Sequence, residues 1–432
     1  MIISELTPHL THDAARESCR CPIGAVTTGS SVTLAFTDGL AAVLEAELVL
    51  YGDGFESRCE MALEDGRWFV RVTMPEEAAA LWYVFRLGLA GGEYWLCAGQ
   101  GGRFGQLMSS RGDGFRLTVY DKDFETPAWF RKSVMYQIFP DRFARSGSSD
   151  LTGKLQPFWV HESPDELPEY RPDAHGEVRN NDFFGGNFAG IREKLPYLQE
   201  LGVGVLYLNP IFMAWSNHRY DTADYRRPDP MLGTEEDFRA LCDAAHARGM
   251  RVILDGVFSH TGSNSVYFDA KHVFGHGAAS DPNSPYRRWY RFHHYPDDYE
   301  AWWGIRTLPC VEELDETYLN YIIEDEDSVI AHWLRLGADG FRLDVVDELP
   351  DEFVRRLRRR MRQIDPQSLL LGEVWEDASN KRAYGVSRRY FVDGELDSVM
   401  NYPWRNAIVA FLTDADDGTA LGESLMTLAE NY

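Results

Sequence analysis

The chain has 432 residues, 44% hydrophobic and 26% charged, long enough for two or three domains with a large buried core. Its 68 acidic against 43 basic residues give a formal charge of −25, which repels phosphate backbones and anionic membranes and argues against a nucleic-acid or membrane partner. No apolar run approaches the ~18 residues of a membrane span. Residues Met1 to His9 lack the basic start and apolar core of a secretory signal, so a cytoplasmic location is expected by elimination.

Up to about Tyr120 the chain reads as short β-rich runs separated by Gly and Asp turns. These are Ser31–Phe36, Glu45–Tyr51, Arg67–Thr73, Leu81–Leu87 and Phe115–Tyr120, the pattern of an antiparallel sandwich. A polar stretch, Asp121–Pro127, then acts as a linker. The expected domains are 1–125 and 126–432.

From Ser133 the rhythm becomes strand, loop, helix. Strands are expected at Val134–Phe139, Gly202–Pro210, Met250–Asp255, Gly340–Val345, Leu369–Glu373 and Ser398–Tyr402. Helices fall around Ile191–Leu201, Thr234–Arg248 and Ala420–Glu430. Continuously apolar strands alternating with helices imply a parallel sheet whose ligands sit at the C-terminal strand ends. The stretch Thr261–Asp325, rich in His, Tyr, Trp and Pro, is too long for a plain connection and reads as an inserted subdomain. The Arg-rich run Arg355–Arg360 follows Asp351 and Glu352 on a helical pattern and reads as a solvated helix face. Six scattered cysteines lack metal-ligand spacing and read as free thiols.

Three acidic segments stand at ends of these strands: Asp255-Gly-Val-Phe-Ser-His260, Gly340-Phe-Arg342-Leu-Asp344 and Leu371-Gly-Glu373-Val-Trp375. Taken alone, an Asp at a strand end is more often a helix cap, and a lone His a satisfied core residue. In this order and spacing they resemble the α-amylase superfamily, glycoside hydrolase family 13. Val205-Leu-Tyr-Leu-Asn209-Pro210 matches a further family region, and Tyr136–Phe143, Asn217–Tyr225 and Phe183-Phe-Gly-Gly186 resemble its neopullulanase, cyclomaltodextrinase and amylopullulanase-like branch. The resemblance implies an α/β fold of the TIM (β/α)₈-barrel type, with an inserted domain B at about 261–325 and an N-terminal β-sandwich like a carbohydrate-binding module. It also implies a homodimer formed through that sandwich.

The chemistry implied is retaining hydrolysis of α-1,4 glucosidic bonds, extending to α-1,6, in maltodextrins, cyclodextrins, starch or pullulan. Two carboxylates ~5–5.5 Å apart suffice for it. By the match Asp344 is the nucleophile and Glu373 the general acid/base. Arg342 lies two residues before Asp344, hence on the same face of a strand, where its charge is expected to keep Asp344 ionised. Asp255 is expected to orient Arg342, and His260, His218 and Tyr220 to line the subsite of the sugar being cleaved. Trp375, Trp303 and Glu348 are candidates for flanking subsites. The high aromatic content, with 12 Trp and 21 Tyr, suits stacking on sugars, although most such residues in any protein are core.

The chain also departs from the family pattern. Ser259 stands where most relatives carry Asn. Where some relatives bind calcium, Ala144-Arg145-Ser146-Gly147 and Asn187 replace much of the oxygen-ligand set, so a metal site is not favoured and no cofactor is required. The seventh and eighth strands and a third catalytic Asp are absent, from which the barrel is expected to be incomplete and residues 1–432 alone to hydrolyse little. Two alternatives share these motifs: an α-glucan transglycosylase, and a non-catalytic amylase-like protein that only binds glycans or a partner.

Overall fold

Side chains alternate in and out of the first strands, burying Val32, Leu34 and Phe36 on one and Leu81, Tyr83, Phe85 and Leu87 on another. The computed structural model describes residues 8–52, 54–174, 176, 178–413 and 415–432. It separates into two units. One holds Met1–Glu125, Val374–Glu395 and Met400–Tyr432, and the other Thr126–Glu373 and Leu396–Val399.

The first unit contains a five-stranded and a seven-stranded sheet. Ser31–Asp38 and Arg67–Thr73 are central to one sheet, and Val43–Gly52, Ala79–Leu89, Gly92–Ala98 and Phe115–Tyr120 to the other. Their inner faces share one apolar core, including Phe36, Trp68, Leu48, Phe85 and Phe115, so the expected antiparallel sandwich is present. His12 is buried in that core between the Ala35 carbonyl, 2.7 Å from Nδ1, and the Tyr83 hydroxyl, 3.0 Å from Nε2. The same unit includes the helices Tyr402–Leu412 and Gly418–Asn431.

The second unit is built on six parallel strands in chain order: β1 (Val134–Ile138), β2 (Val203–Leu208), β3 (Arg251–Gly256), β4 (Gly340–Leu343), β5 (Leu369–Gly372) and β6 (Ser398–Val399). β4 and β5 are buried at every position, as parallel strands covered on both faces must be. The helices α1 (Phe188–Glu200), α2 (Glu235–His246), α3 (Val329–Leu336) and α4 (Asp351–Ile364) follow strands in the α/β manner. A capping box, Thr234 with Asp237, starts α2. This is the TIM-barrel-type α/β sheet that the sequence implied. Within Thr261–Asp325 lie a hairpin of Phe292–His294 with Asp298–Tyr299, 3₁₀ turns at Arg287–Trp289 and Trp302–Gly304, and a short helix, Glu316–Leu319.

Two expectations need correction. The sixth strand ends at Val399 and not at Tyr402, because Asn401 caps a helix that Tyr402 begins and Pro403 supports. The Arg run on α4 is not a plain solvated face either. Arg358 and Arg362 pair with the buried Asp397 at 3.0 and 2.7 Å, and Arg356 with Glu324 at 2.7 Å. All six cysteines are unpaired, and no helix among the described residues is long and apolar enough to cross a membrane.

Candidate active site

Strands β3, β4 and β5 lie side by side, and their register decides what meets. Asp255 on β3 is directly opposite Arg342 on β4, and Leu343 is opposite Gly372 on β5. Asp344 and Glu373 each come one residue after that last pair, so their carboxylates leave adjacent strand ends at one level. The approach is close. A Cβ at Gly372 would sit 2.6 Å from a terminal methyl of Leu396 and 2.9 Å from a methyl of Val346, so a side chain there would have to displace them.

One guanidinium ties the site together. Arg342 Nη1 donates to Asp255 Oδ1 at 2.6 Å and to Asp344 Oδ1 at 3.0 Å, while Nη2 meets Glu373 Oε2 at 2.5 Å. All four residues are buried. The other oxygen of Asp255 accepts from Tyr207 at 2.6 Å and Tyr220 at 3.1 Å, and Asn209, itself bonded by Gln137, donates to the Tyr220 hydroxyl at 2.9 Å. Glu373 Oε2 also accepts from the Val345 N–H at 2.9 Å. That amide points there because Val345 takes φ 35°, ψ 64°, a left-handed conformation unusual for a β-branched residue and costing about 1–3 kcal/mol.

Three carboxylates share this single cation. Burial opposes the charge on Arg342, yet Asp255, Tyr207, Asp344 and Glu373 outweigh it and move its pKa up. Burial, followed by the charge of Asp255, pushes the Asp344 carboxyl up to about 7 against the pull of Arg342, and burial raises Asp255 as well. Arg342 pairs with Asp344 as expected, while burial works against the charge it stabilises there. One guanidinium is shared among three buried carboxylates, and burial favours the protonated forms of Asp344 and Asp255 against its pull.

The loop from Trp215 to Asp221 brings His218 and Tyr220 beside this cluster. It winds around Asp221, which accepts from the backbone N–H groups of Trp215 and Ser216. His218 Nδ1 accepts from the Tyr220 N–H at 3.1 Å, which leaves Nε2 as its donor, and burial lowers its pKa. His260 is 1% exposed, with Nδ1 3.1 Å from Ser259 Oγ and with Nε2 lacking any partner. Burial takes its pKa down to about 4. A buried, unpartnered ring nitrogen is costly unless a ligand satisfies it. Ser259, where most relatives carry Asn, supplies the hydroxyl beside His260 Nδ1.

His260 packs 5.3 Å from Trp302, which stacks on Trp303 at 5.1 Å. Both indole N–H groups donate to Glu348, that of Trp303 at 2.7 Å. Trp303 is 64% exposed, an open aromatic face. Trp375 falls in the first unit and is 42% exposed. Sequence reasoning missed Tyr207, Asn209 and the Val345 amide as parts of the site. The alternation of Val205, Tyr207 and Asn209 on a strand facing the barrel interior was the signal for the first two.

The segment around Asn187 is hydrogen-bonded internally. Asn187 Oδ1 accepts from Ser146 N and from Gly190 N, capping α1, and its Nδ2 donates to the Ser146 carbonyl. Among the described residues no group of three or more His, Cys, Asp or Glu could hold a metal ion.

A family model described as alpha amylase, catalytic domain, matches residues 137–429. Over 481 residues the chain is 35% identical to an amylopullulanase of Thermoanaerobacter thermohydrosulfuricus, covering 98% of this chain and 32% of that protein. It is also 35% identical over 301 residues to an intracellular maltogenic amylase of Bacillus subtilis strain 168, covering 68% and 45% respectively. Among solved structures, the type III pullulan hydrolase from Thermococcus kodakarensis superposes with a TM-score of 0.61 at 27% identity, covering 98% of this chain and 70% of that one. The chain thus spans 32% of the amylopullulanase and 45% of the maltogenic amylase.

Proposed function

Since this chain belongs to the α-amylase family of glycoside hydrolases, we propose that the protein is a retaining hydrolase of α-1,4-glucosidic bonds, extending to α-1,6 bonds, in maltodextrins, cyclodextrins, starch or pullulan. The observation that carries the reading is the bridging of Asp344 and Glu373 by the two terminal nitrogens of Arg342. Carboxylates gathered on one guanidinium favour the narrow ~5–5.5 Å spacing of retaining enzymes over the ~6.5–9.5 Å of inverting ones.

In the first step Asp344 attacks the anomeric carbon while Glu373 gives its proton to the leaving glycosidic oxygen. The C–O bond breaks and a glycosyl ester on Asp344 forms. In the second step Glu373 takes a proton from water, whose oxygen attacks the same carbon, and the ester bond breaks to release the sugar with its original configuration. His260 Nε2 and His218 Nε2 provide hydrogen bonds to sugar hydroxyls, Tyr220 a stacking face, and Trp303 with Glu348 a flanking subsite.

The scheme routes no step through a metal or cofactor. A cytoplasmic location is part of the same proposal, supported by the intracellular relative. A homodimer through the N-terminal sandwich is proposed from the resemblance alone.

Replacing Glu373 by Gln in the full-length protein tests the reading. Maltotriose hydrolysis should fall by about 10²-fold or more while maltotriose binding persists. Undiminished turnover would refute Glu373 as the acid.

A further inference from the structure

The connection between β1 and α1 contains a strap whose role the catalytic scheme leaves open. Trp159 and Val160 pair in parallel with Asp182 and Phe183, and the Phe183 carbonyl accepts from His161 N at 2.7 Å. At its centre Asp182 is 1% exposed, yet every side of its carboxylate is used. Oδ2 lies 3.0 Å from His161 Nε2, accepts from Glu169 N at 3.0 Å, and has Arg142 at 4.0 Å. Oδ1 accepts from the side-chain amide of Asn217 at 3.0 Å, and the Asp182 carbonyl accepts from that same amide at 2.9 Å.

Asn217 is the residue before His218, and it is fixed from three directions. Its N–H donates to the Asn180 carbonyl at 2.7 Å, its amide to Asp182, and its own carbonyl accepts from Arg219 Nη1 at 2.9 Å. Arg219, just beyond His218, is fully buried at φ 64° and lies 3.6 Å from the buried Asp229. The peptide that presents His218 is therefore gripped on both flanks, by Asp182 through Asn217 on one side and by Asp229 through Arg219 on the other. The catalytic cluster keeps an anchor outside this grip, since Tyr207 holds Asp255 from β2 at 2.6 Å, closer than the 3.1 Å of Tyr220 from the gripped loop.

We propose that Asp182 is a positioning residue that acts through Asn217 to hold His218 against the sugar, setting substrate affinity and leaving the chemical step intact. The inference rests on the hydrolase reading above, in which His218 faces a sugar hydroxyl. Charge-assisted hydrogen bonds of this kind, to a buried carboxylate, lose geometry as a unit when either partner is removed.

The test is a double-mutant cycle, Asp182→Ala, Asn217→Ala and both together, read by maltotriose binding in a Glu373→Gln background and by KM and kcat in the active protein. Each single variant should weaken binding about tenfold, and the pair no more than either alone, because the interaction they lose is shared. KM should rise in parallel while kcat stays within about threefold. Asp182→Asn, which keeps an acceptor for Asn217, should retain most of the affinity. Should Asp182→Ala fail to fold, Asn217→Ala leaves the strap carboxylate in place and carries the same readout. Unchanged binding in Asn217→Ala, additive losses approaching a hundredfold in the pair, or a fall in kcat at constant KM would each overturn the positioning role. A Glu373→Gln parent that binds no maltotriose would overturn the hydrolase reading itself, and this inference with it.

Discussion

The Tyr207 hydroxyl donates to Asp255 Oδ2 at 2.6 Å, from one parallel strand to the next. Because Asp255 is buried and also bonds Arg342, this phenol sets where the guanidinium lies. Tyr207→Phe keeps the ring and removes that bond. Stability should drop by about 1.5–3 kcal/mol, and kcat/KM by about tenfold, as read by denaturant unfolding and maltotriose kinetics.

Arg342→Lys should be more severe than its charge conservation suggests. A single ammonium cannot meet Asp255, Asp344 and Glu373 in the fork geometry recorded for Nη1 and Nη2. The expected outcome is activity near the assay limit together with a stability loss of about 3–5 kcal/mol, since buried carboxylates are left uncompensated. Urea midpoints compared with initial rates check both parts.

Asp344 is raised to about 7 in the free protein, chiefly by burial. A nucleophile must be ionised, so kcat/KM should fall as pH drops through about 7. The kcat profile, which reports the sugar-bound site, need not share that limb. Measured maltotriose pH–rate profiles for both parameters test this.

His260 ties stability to pH through its lowered pKa. Above pH 6.5 its ring is neutral in both folded and unfolded chains and contributes nothing to pH dependence. Between 6.5 and about 4 the unfolded chain takes a proton that the buried ring refuses, so the folded state loses stability as the solution is acidified. The loss at this one site is about 3 kcal/mol at most. His260→Gln should flatten that part of the stability profile, measured by chemical denaturation at several pH values across the window.

The parallel strands could be read directly because they are continuous apolar runs, and Asp255, Arg342, Asp344 and Glu373 because they follow those runs at fixed spacing. The electrostatic balance among them could not. Arg342 was expected to meet Asp344 and Asp255, but in space its second nitrogen also serves Glu373 from β5. Val345 gave no sequence hint of a left-handed backbone, since valine is a poor residue for that conformation. Asp182 and Asn217 meet only through tertiary packing. The helix at Tyr402–Leu412 was readable from Asn401 and Pro403, but the apolar Val399 and Met400 drew the strand assignment too far.

The central claim is that Asp344 is the nucleophile and Glu373 its proton partner. It is tested most directly by trapping the intermediate with a fluorinated maltosyl fluoride in Glu373→Gln, followed by mass spectrometry of the digested protein. The account predicts a glycosyl adduct on the peptide carrying Asp344, mapped to that residue. An adduct on another residue, or inversion at the anomeric carbon with no adduct formed, would contradict it.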